Sequence, residues 1–328
     1  MKSNFQKLTQ GFSLTEGESF QLITAIINKE LNPTQTAATL ALYLNRPLQL
    51  QELSGFRNAL IDNCTPVNLC KEAIDVCGTG GDGKDTFNIS TISALVLAAS
   101  GVPVAKHGNY GSTSISGSSD ILNYLGYKFV SDEDGINDEL YKHNFCFMHA
   151  PLFHPALKNV AGQRKELGIR TFFNLLGPIV NPANIAAKFV GVFNLDTARL
   201  YNYYLQNSDL RYAIVNTIDG FDEISLTAPF KLFTNEKEQL ISPEELGFNT
   251  VATADLKSGA TISEAAKIFT NVLKNECTKA QKDVVLANSA MAYCCYDTGI
   301  SIEEAINICK ETIESKKAFG LLKQITLN

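Results

Sequence analysis

Gly78-Thr79-Gly80-Gly81-Asp82-Gly83-Lys84-Asp85-Thr86-Phe87-Asn88-Ile89-Ser90-Thr91 stands between a short apolar run, Ala73 to Val76, and a helical run, Ile92 to Ala99. That order reads as strand, glycine-rich turn and helix N-terminus, the opening of a βαβ unit. Glycine admits φ > 0 and lets bare N–H groups approach a ligand. A helix N-terminus adds unpaired donors and the positive end of the dipole, so the stretch predicts an anion site. Ser90 or Thr91 is the expected N-cap, and Gly101 falls just past the expected last turn.

Two familiar phosphate loops fit in part and fail. Gly78, Gly80 and Gly83 satisfy G-x-G-x-x-G, but the expected helix begins well after Gly83, and Ala98 to Val104 holds no acid for a ribose. Gly78 to Lys84 satisfies G-x-x-x-x-G-K, yet Asp85 stands where a hydroxyl would have to meet Mg²⁺.

The surrounding chain predicts a soluble α/β protein. Its 328 residues suit one large domain or two moderate ones, and 45% hydrophobic with 19% charged residues is globular composition. A formal charge of −6 disfavours nucleic acid or an anionic membrane as partner. No apolar run approaches a membrane span, and Met1 to Gln6 lacks the apolar core of a signal peptide. Eight scattered cysteines without a C-x-x-C pair read as buried thiols of a cytoplasmic protein.

Residues 1–66 predict a small helical domain. Thr15-x-x-Glu18 is a capping box ahead of Phe20, Ile23 and Ile27, and Asn32-Pro33 opens the next helix. Ala37, Ala38, Leu40, Ala41 and Leu44 form an alanine-rich stripe suited to close packing or to a dimer surface. Pro66 marks the join to a large domain, 67–328, whose strands are expected at Ala73–Val76, Val102–Lys106, Phe145–Met148, Lys188–Val192 and Tyr212–Val215. Thr227 to Gly247 reads as short strands and turns, and Ile262 to Leu322 as three or four helices. The expected fold class is α/β: a small N-terminal helical domain plus a large domain with a mainly parallel central sheet flanked by helices.

Three further segments carry chemistry, each at an expected strand end. Lys106-His107-Gly108-Asn109-Tyr110-Gly111-Ser112-Thr113-Ser114-Ile115-Ser116-Gly117-Ser118-Ser119-Asp120 is a second oxyanion cradle, with a lysine followed by an amide and hydroxyls. Two cradles suggest a substrate with two separate phosphate groups. His149 to Pro182 carries Arg164, whose guanidinium suits an aromatic carboxylate, with Arg170 as rival. Three of the four histidines fall within His143 to His154, but no cysteine or acid sits at a spacing that would complete a metal cluster with them. Asp219-Gly220-Phe221-Asp222-Glu223 brings two carboxylates together, costly unless a cation pairs them.

These four segments, in this order, resemble the anthranilate phosphoribosyltransferases over about residues 15 to 300. The resemblance implies transfer of a 5-phosphoribosyl group from phosphoribosyl pyrophosphate to the amine of anthranilate, releasing pyrophosphate, in tryptophan biosynthesis. It implies donor binding by Gly78, Gly80, Gly81, Asp82, Thr86, Asn88, Ser90, Thr91, Lys106, Asn109, Ser114 and Ser118. Anthranilate would meet Gly78, Asn109, Arg164, His107 and His154, and Mg²⁺, two ions per subunit, would meet Ser90, Asp222 and Glu223. The helical domain would be completed by helices from about 164–185, the protein would be a homodimer through that domain, and no general base is assigned. Many members carry Arg where this chain has Tyr110. A nucleoside phosphorylase, sharing fold and glycine loop, and a non-catalytic nucleic-acid-binding relative are the competing readings; the acid pair disfavours the first and the acidic charge the second.

Overall fold

The glycine-rich stretch leaves the central strand of a seven-stranded sheet in a computed structural model that describes residues 2–111 and 114–326. The chain divides into two compact units: Met1–Pro66 with Ala150–Pro182, and Val67–His149 with Ala183–Asn328.

In the second unit the strands are β1 (Ile74–Gly78), β2 (Val104–Gly108), β3 (Phe145–His149), β4 (Ala187–Gly191), β5 (Arg211–Thr217), β6 (Phe230–Thr234) and β7 (Glu238–Ile241). Their order is β3-β2-β1-β4-β5-β6-β7, parallel through β5 and antiparallel from there. Each expected strand is present, displaced by one or two residues. Strands covered on both faces need apolar side chains throughout rather than in alternation, and β1 to β5 are almost wholly buried. The chain leaves β1 toward β2 on one side and returns through β4 on the other, so the order reverses beside β1. Such a reversal opens a crevice at the strands' carboxyl ends.

Helix Ile89–Ala99 is buried along nearly its whole length, as an all-round apolar helix must be. Helices Ile262–Leu273, Lys279–Tyr296, Ile302–Glu314 and Lys317–Thr326 enclose it. Gly101, at φ +105°, ends it as expected. Its start differs: Asn88, not Ser90 or Thr91, is the N-cap. Of the thiols expected to be buried, Cys70 is exposed instead.

In the first unit both start signals form. Thr15 Oγ1 accepts from Glu18 N at 3.3 Å while Glu18 Oε2 accepts from Thr15 N at 3.0 Å. Asn32 and Gln35 exchange the same two bonds at 2.9 and 3.0 Å. The alanine stripe is only in part the buried face of helix Pro33–Leu42. Its Leu40 is buried together with Thr36, Thr39 and the following Tyr43, while Ala38 and Leu44 are exposed. The reason is Glu52: this buried carboxylate accepts from Leu14 N at 3.0 Å, Tyr43 Oη at 3.0 Å and Gln49 N at 3.1 Å, and pairs bidentately with Arg46. Tyr43 must face inward to reach it.

A partly buried carboxyl makes stability pH-dependent. Glu139 accepts from Tyr127 Oη, which accepts from Phe147 N at 3.2 Å. Burial raises Glu139 from 4.5 to about 7. A raised carboxyl pKa favours folding fully below the unfolded value, and that contribution is lost as pH climbs through the folded one. Unfolding free energy is therefore expected to fall between pH 4.5 and about 7 by at most about 3 kcal/mol from this group. Glu139→Gln keeps the acceptor without the titration and should flatten the decline in urea titrations; equal slopes for both proteins would contradict the assignment.

Candidate active site

Three loops meet at the carboxyl ends of β1, β2 and β5. The first, Thr79 to Asn88, turns on glycines in the left-handed region, Gly80 at φ +67°, Gly81 at +74° and Gly83 at +72°. A Cβ on Gly80 would meet nothing within 4 Å, so here conformation, not crowding, calls for glycine. Asp82 Oδ1 accepts from Lys84 N at 2.9 Å. The segment Leu256–Ser258, unmarked in the sequence reading, fastens the loop: Phe87 N donates to Leu256 O and Ser258 N to Asp85 O, both at 2.9 Å. Thr86 bridges to Lys257.

The acids reach into this loop. Asp222 Oδ2 accepts from Gly80 N at 2.6 Å, and Glu223 Oε1 accepts from Ser90 N at 3.2 Å. Glu223, distant in sequence, thus takes an N–H at the helix start that a capping side chain would otherwise accept, and Asn88 makes no side-chain capping bond. Thr91 is buried within the helix core. A Cβ at Gly78 would come 2.5 Å from Asp222 Oδ2, and one at Gly191 would overlap the Asp222 carbonyl. Asn288 holds the acid loop by exchanging hydrogen bonds with Ile224 N and O at 3.0 and 2.9 Å.

Burial, then the neighbouring charge of Asp82, raises Asp222 to about 7. Burial, then Asp222, pushes Glu223 well above the usual range, while the Lys106 charge opposes this. Glu223 Oε2 is buried without a hydrogen bond. Lys106 is itself buried, its Nζ donating to the Val76 carbonyl. Beside it lies a pair the sequence reading missed: Lys188 Nζ donates to Asp75 Oδ2 at 2.8 Å, and Asp75 Oδ1 accepts from His107 N at 3.1 Å. A charge inside a strand buried on both faces was the available signal, because it must be paired. Among the described residues no group of three or more His, Cys, Asp or Glu is arranged to hold a metal ion. A carboxylate pair with a buried oxygen that makes no hydrogen bond nevertheless suits a hard cation that keeps waters.

The second loop is joined to the first by reciprocal bonds. Asn88 Nδ2 donates to Ser116 O and Ser116 Oγ donates to Asn88 Oδ1, both at 3.1 Å. Asn109 Oδ1 accepts from Tyr110 N at 2.8 Å. Ser114 Oγ and Ser118 Oγ make long bonds to Ser116 O and Asn109 O. Ser112 and Thr113 lie outside the described residues. Tyr110 is half exposed and meets His149 edge-on, the imidazole in turn stacking on Phe129 at 4.3 Å.

Arg164 and His154 belong to the first unit. The Arg164 guanidinium stands 5.3 Å over the Phe173 ring, Phe173 stacks on Phe172 at 4.7 Å, and Phe172 packs on Phe56 and Tyr43. Burial lowers its pKa, and it forms no ion pair among the described residues. His154 is buried, with Nε2 2.7 Å from Val180 O. Arg170 is exposed.

Residues 2–64 match the family model described as "Glycosyl transferase family, helical bundle domain", and 70–319 match "Glycosyl transferase family, a/b domain". The anthranilate phosphoribosyltransferase of Cytophaga hutchinsonii is 47% identical over 325 residues, covering 99% of both chains. That of Bacteroides thetaiotaomicron is 45% identical over 330 residues, covering 100% of this chain and 99% of the relative. This chain belongs to the anthranilate phosphoribosyltransferase family. Among solved members, the Thermus thermophilus structure superimposes with a TM-score of 0.90 at 31% identity over 98% of each chain. The Saccharomyces cerevisiae enzyme in complex with PRPP and Mg gives 0.91 at 25% identity, covering 99% of this chain and 96% of that one.

The seating of Asp222 depends on Gly191. Gly191→Ala is expected to drive the Asp222 carbonyl away, to break its bond from Gly80 N, and to cost about 1–3 kcal/mol, as overpacking does. Urea unfolding measures the cost. The Gly80 amide resonance reports the bond, and an unshifted resonance would contradict the account.

Proposed function

We propose that the protein transfers the 5-phosphoribosyl group of phosphoribosyl pyrophosphate to the amine of anthranilate, releasing pyrophosphate. Full-length similarity to anthranilate phosphoribosyltransferases supports the reaction. The observation that carries it into this chain's own chemistry is the meeting of a glycine-rich loop with two buried acids at the sheet's reversal point.

Beside Asp82, Asp222 and Glu223, Lys106 has its ammonium already bonded to a carbonyl, and the Lys84 ammonium stands 4.7 Å over the Phe221 ring. Burial raises both Asp222 and Glu223, and a cation between them would favour their ionised form and offset the charge of a polyanionic donor. Asp222 and Glu223 are the proposed Mg²⁺ ligands, with the Ser90 hydroxyl facing a second ion. Bound there, Mg²⁺ would neutralise the acids and the charge gathering on the departing pyrophosphate. The chain's own part is positioning. Backbone N–H groups of the first loop and the amide and hydroxyls of Asn88, Asn109, Ser114 and Ser118 would hold the donor. The bond from C1 of ribose to oxygen breaks with its electron pair leaving on pyrophosphate. The amine lone pair forms the new C1–N bond, and the amine then sheds its proton to solvent or pyrophosphate. His154, with Nε2 against a carbonyl, supports leaving the general base unassigned. Arg164 would pair with the anthranilate carboxylate from its aromatic seat.

The protein is further proposed to be a cytoplasmic homodimer. Eight free thiols support a reducing compartment. Exposed Ala38, Leu44 and Phe12 on the helical unit support an apolar self-contact, which light scattering would test.

Anthranilate fluorescence should disappear only when phosphoribosyl pyrophosphate and Mg²⁺ are both supplied; consumption of a nucleoside with inorganic phosphate instead would favour a phosphorylase. Asp222→Asn with Glu223→Gln should move the Mg²⁺ dependence of the rate to higher concentration, and an unaltered curve would remove the metal assignment. Arg164→Ala should weaken anthranilate by about 1.5–3 kcal/mol, a charged hydrogen bond, with little change in the donor. The same pattern from Arg170→Ala instead would reassign the arginine.

A further inference from the structure

Asp120 ends the second loop and belongs to none of the groups assigned above. Its Oδ2 accepts from Gly111 N at 2.7 Å and from Gly117 N at 2.8 Å, so one carboxylate oxygen ties the two ends of the loop together. The neck is otherwise tight. Ser119 N donates to Asn109 O at 3.1 Å, a Cβ on Gly111 would lie 2.9 Å from Gly117 N, and one on Gly117 would overlap Gly111 N. Just inside the neck, Ser116 is clasped to Asn88. Asn88 stands at the N-cap position of helix Ile89–Ala99, whose Ser90 N–H is held by Glu223.

We infer that Asp120 is a positioning residue for the donor: it closes the neck of the Asn109–Gly117 loop and so fixes, through Ser116 and Asn88, the loop that faces the pyrophosphate. The inference rests on the donor reading given above. An anion beside an anion-binding loop opposes binding unless its charge is engaged, and here two backbone N–H groups engage it. Helix capping alone accounts for the Gly117 bond, since Asp120 is the third residue of helix Ser118–Tyr124. It does not account for the bond from Gly111, which lies nine residues before Asp120 on the far side of the loop.

Titration calorimetry with Mg²⁺ and phosphoribosyl pyrophosphate first establishes donor binding by the native protein; its absence would refute the donor reading itself, and this inference with it. Given native binding, Asp120→Ala should weaken the donor at least about tenfold, the loss of charged hydrogen bonds, while the anthranilate KM at saturating donor moves less than about threefold. Asp120→Asn keeps an acceptor at the neck and should restore donor affinity to within about threefold of native. Gly117→Ala, which forces the neck open at Gly111 N while keeping the Asp120 carboxylate, should show the same donor-selective loss and serves if Asp120→Ala does not fold. Lower melting temperature with unchanged donor affinity in these variants would reduce Asp120 to a helix cap. Equal loss in Asp120→Asn and Asp120→Ala would show that charge, not the neck, matters. Either result overturns the inference.

Discussion

Two carboxylates buried among backbone amides set the terms for the α/β unit. Asp222 and Glu223 can be held there because Gly80 and Ser90 present N–H groups to them, and those two amides come from the turn and the helix that follow β1. The arrangement needs β1 and β4 as neighbours, with glycine at both Gly78 and Gly191, since any side chain at either would enter the space of Asp222. The reversal of strand order beside β1 is thus more than a place where loops diverge. It is where one strand end lacks the side chains that would otherwise fill it, and a loop arriving from β5 occupies the gap.

Loops at strand ends were readable because their chemistry is local. Glycines at Gly80, Gly81 and Gly83 declare a turn whatever surrounds them, and the apolar runs between them can only be two-sided strands or a buried helix. What escaped depended on distant partners. Asn88 stands at the N-cap position without a side-chain capping bond, because Glu223 occupies Ser90 N and Ser116 occupies the Asn88 amide, bonds spanning 133 and 28 residues. Lys106 read as a phosphate-facing point charge, whereas its ammonium is bonded to the backbone of β1. Asp75 and Lys188 drew no notice because each lies within an apolar strand. Only the register, which sets Asp75 against Lys188 across β1 and β4, shows them as a pair.

That pair shows how strands buried on both faces tolerate an acid and a base. Asp75 with Lys188 is neutral as a unit. Lys106 and Glu223 attract one another at the next level, which moderates but does not cancel the rise that burial imposes on Glu223. Removing one member of a buried pair costs more than the pair contributes, because the other charge remains in low dielectric. The residues that face the proposed donor therefore rest on a layer of charges fixed by β-sheet register, not by the loops themselves.

The helical unit contains the same chemistry in closed and open form. Arg46 is saturated: both terminal nitrogens meet the two oxygens of Glu52, a fork matched to a fork. Arg164 has a comparable degree of shelter but an aromatic ring in place of an acid. Lysine in such surroundings would relieve its desolvation by losing its proton; a guanidinium stays charged, and the face of Phe173 offsets part of the cost. The ring engages the flat face of the guanidinium and leaves its N–H edge uncommitted by any acid among the described residues. A planar carboxylate is complementary to such an edge in charge and in the spacing of its oxygens, as Glu52 is to Arg46.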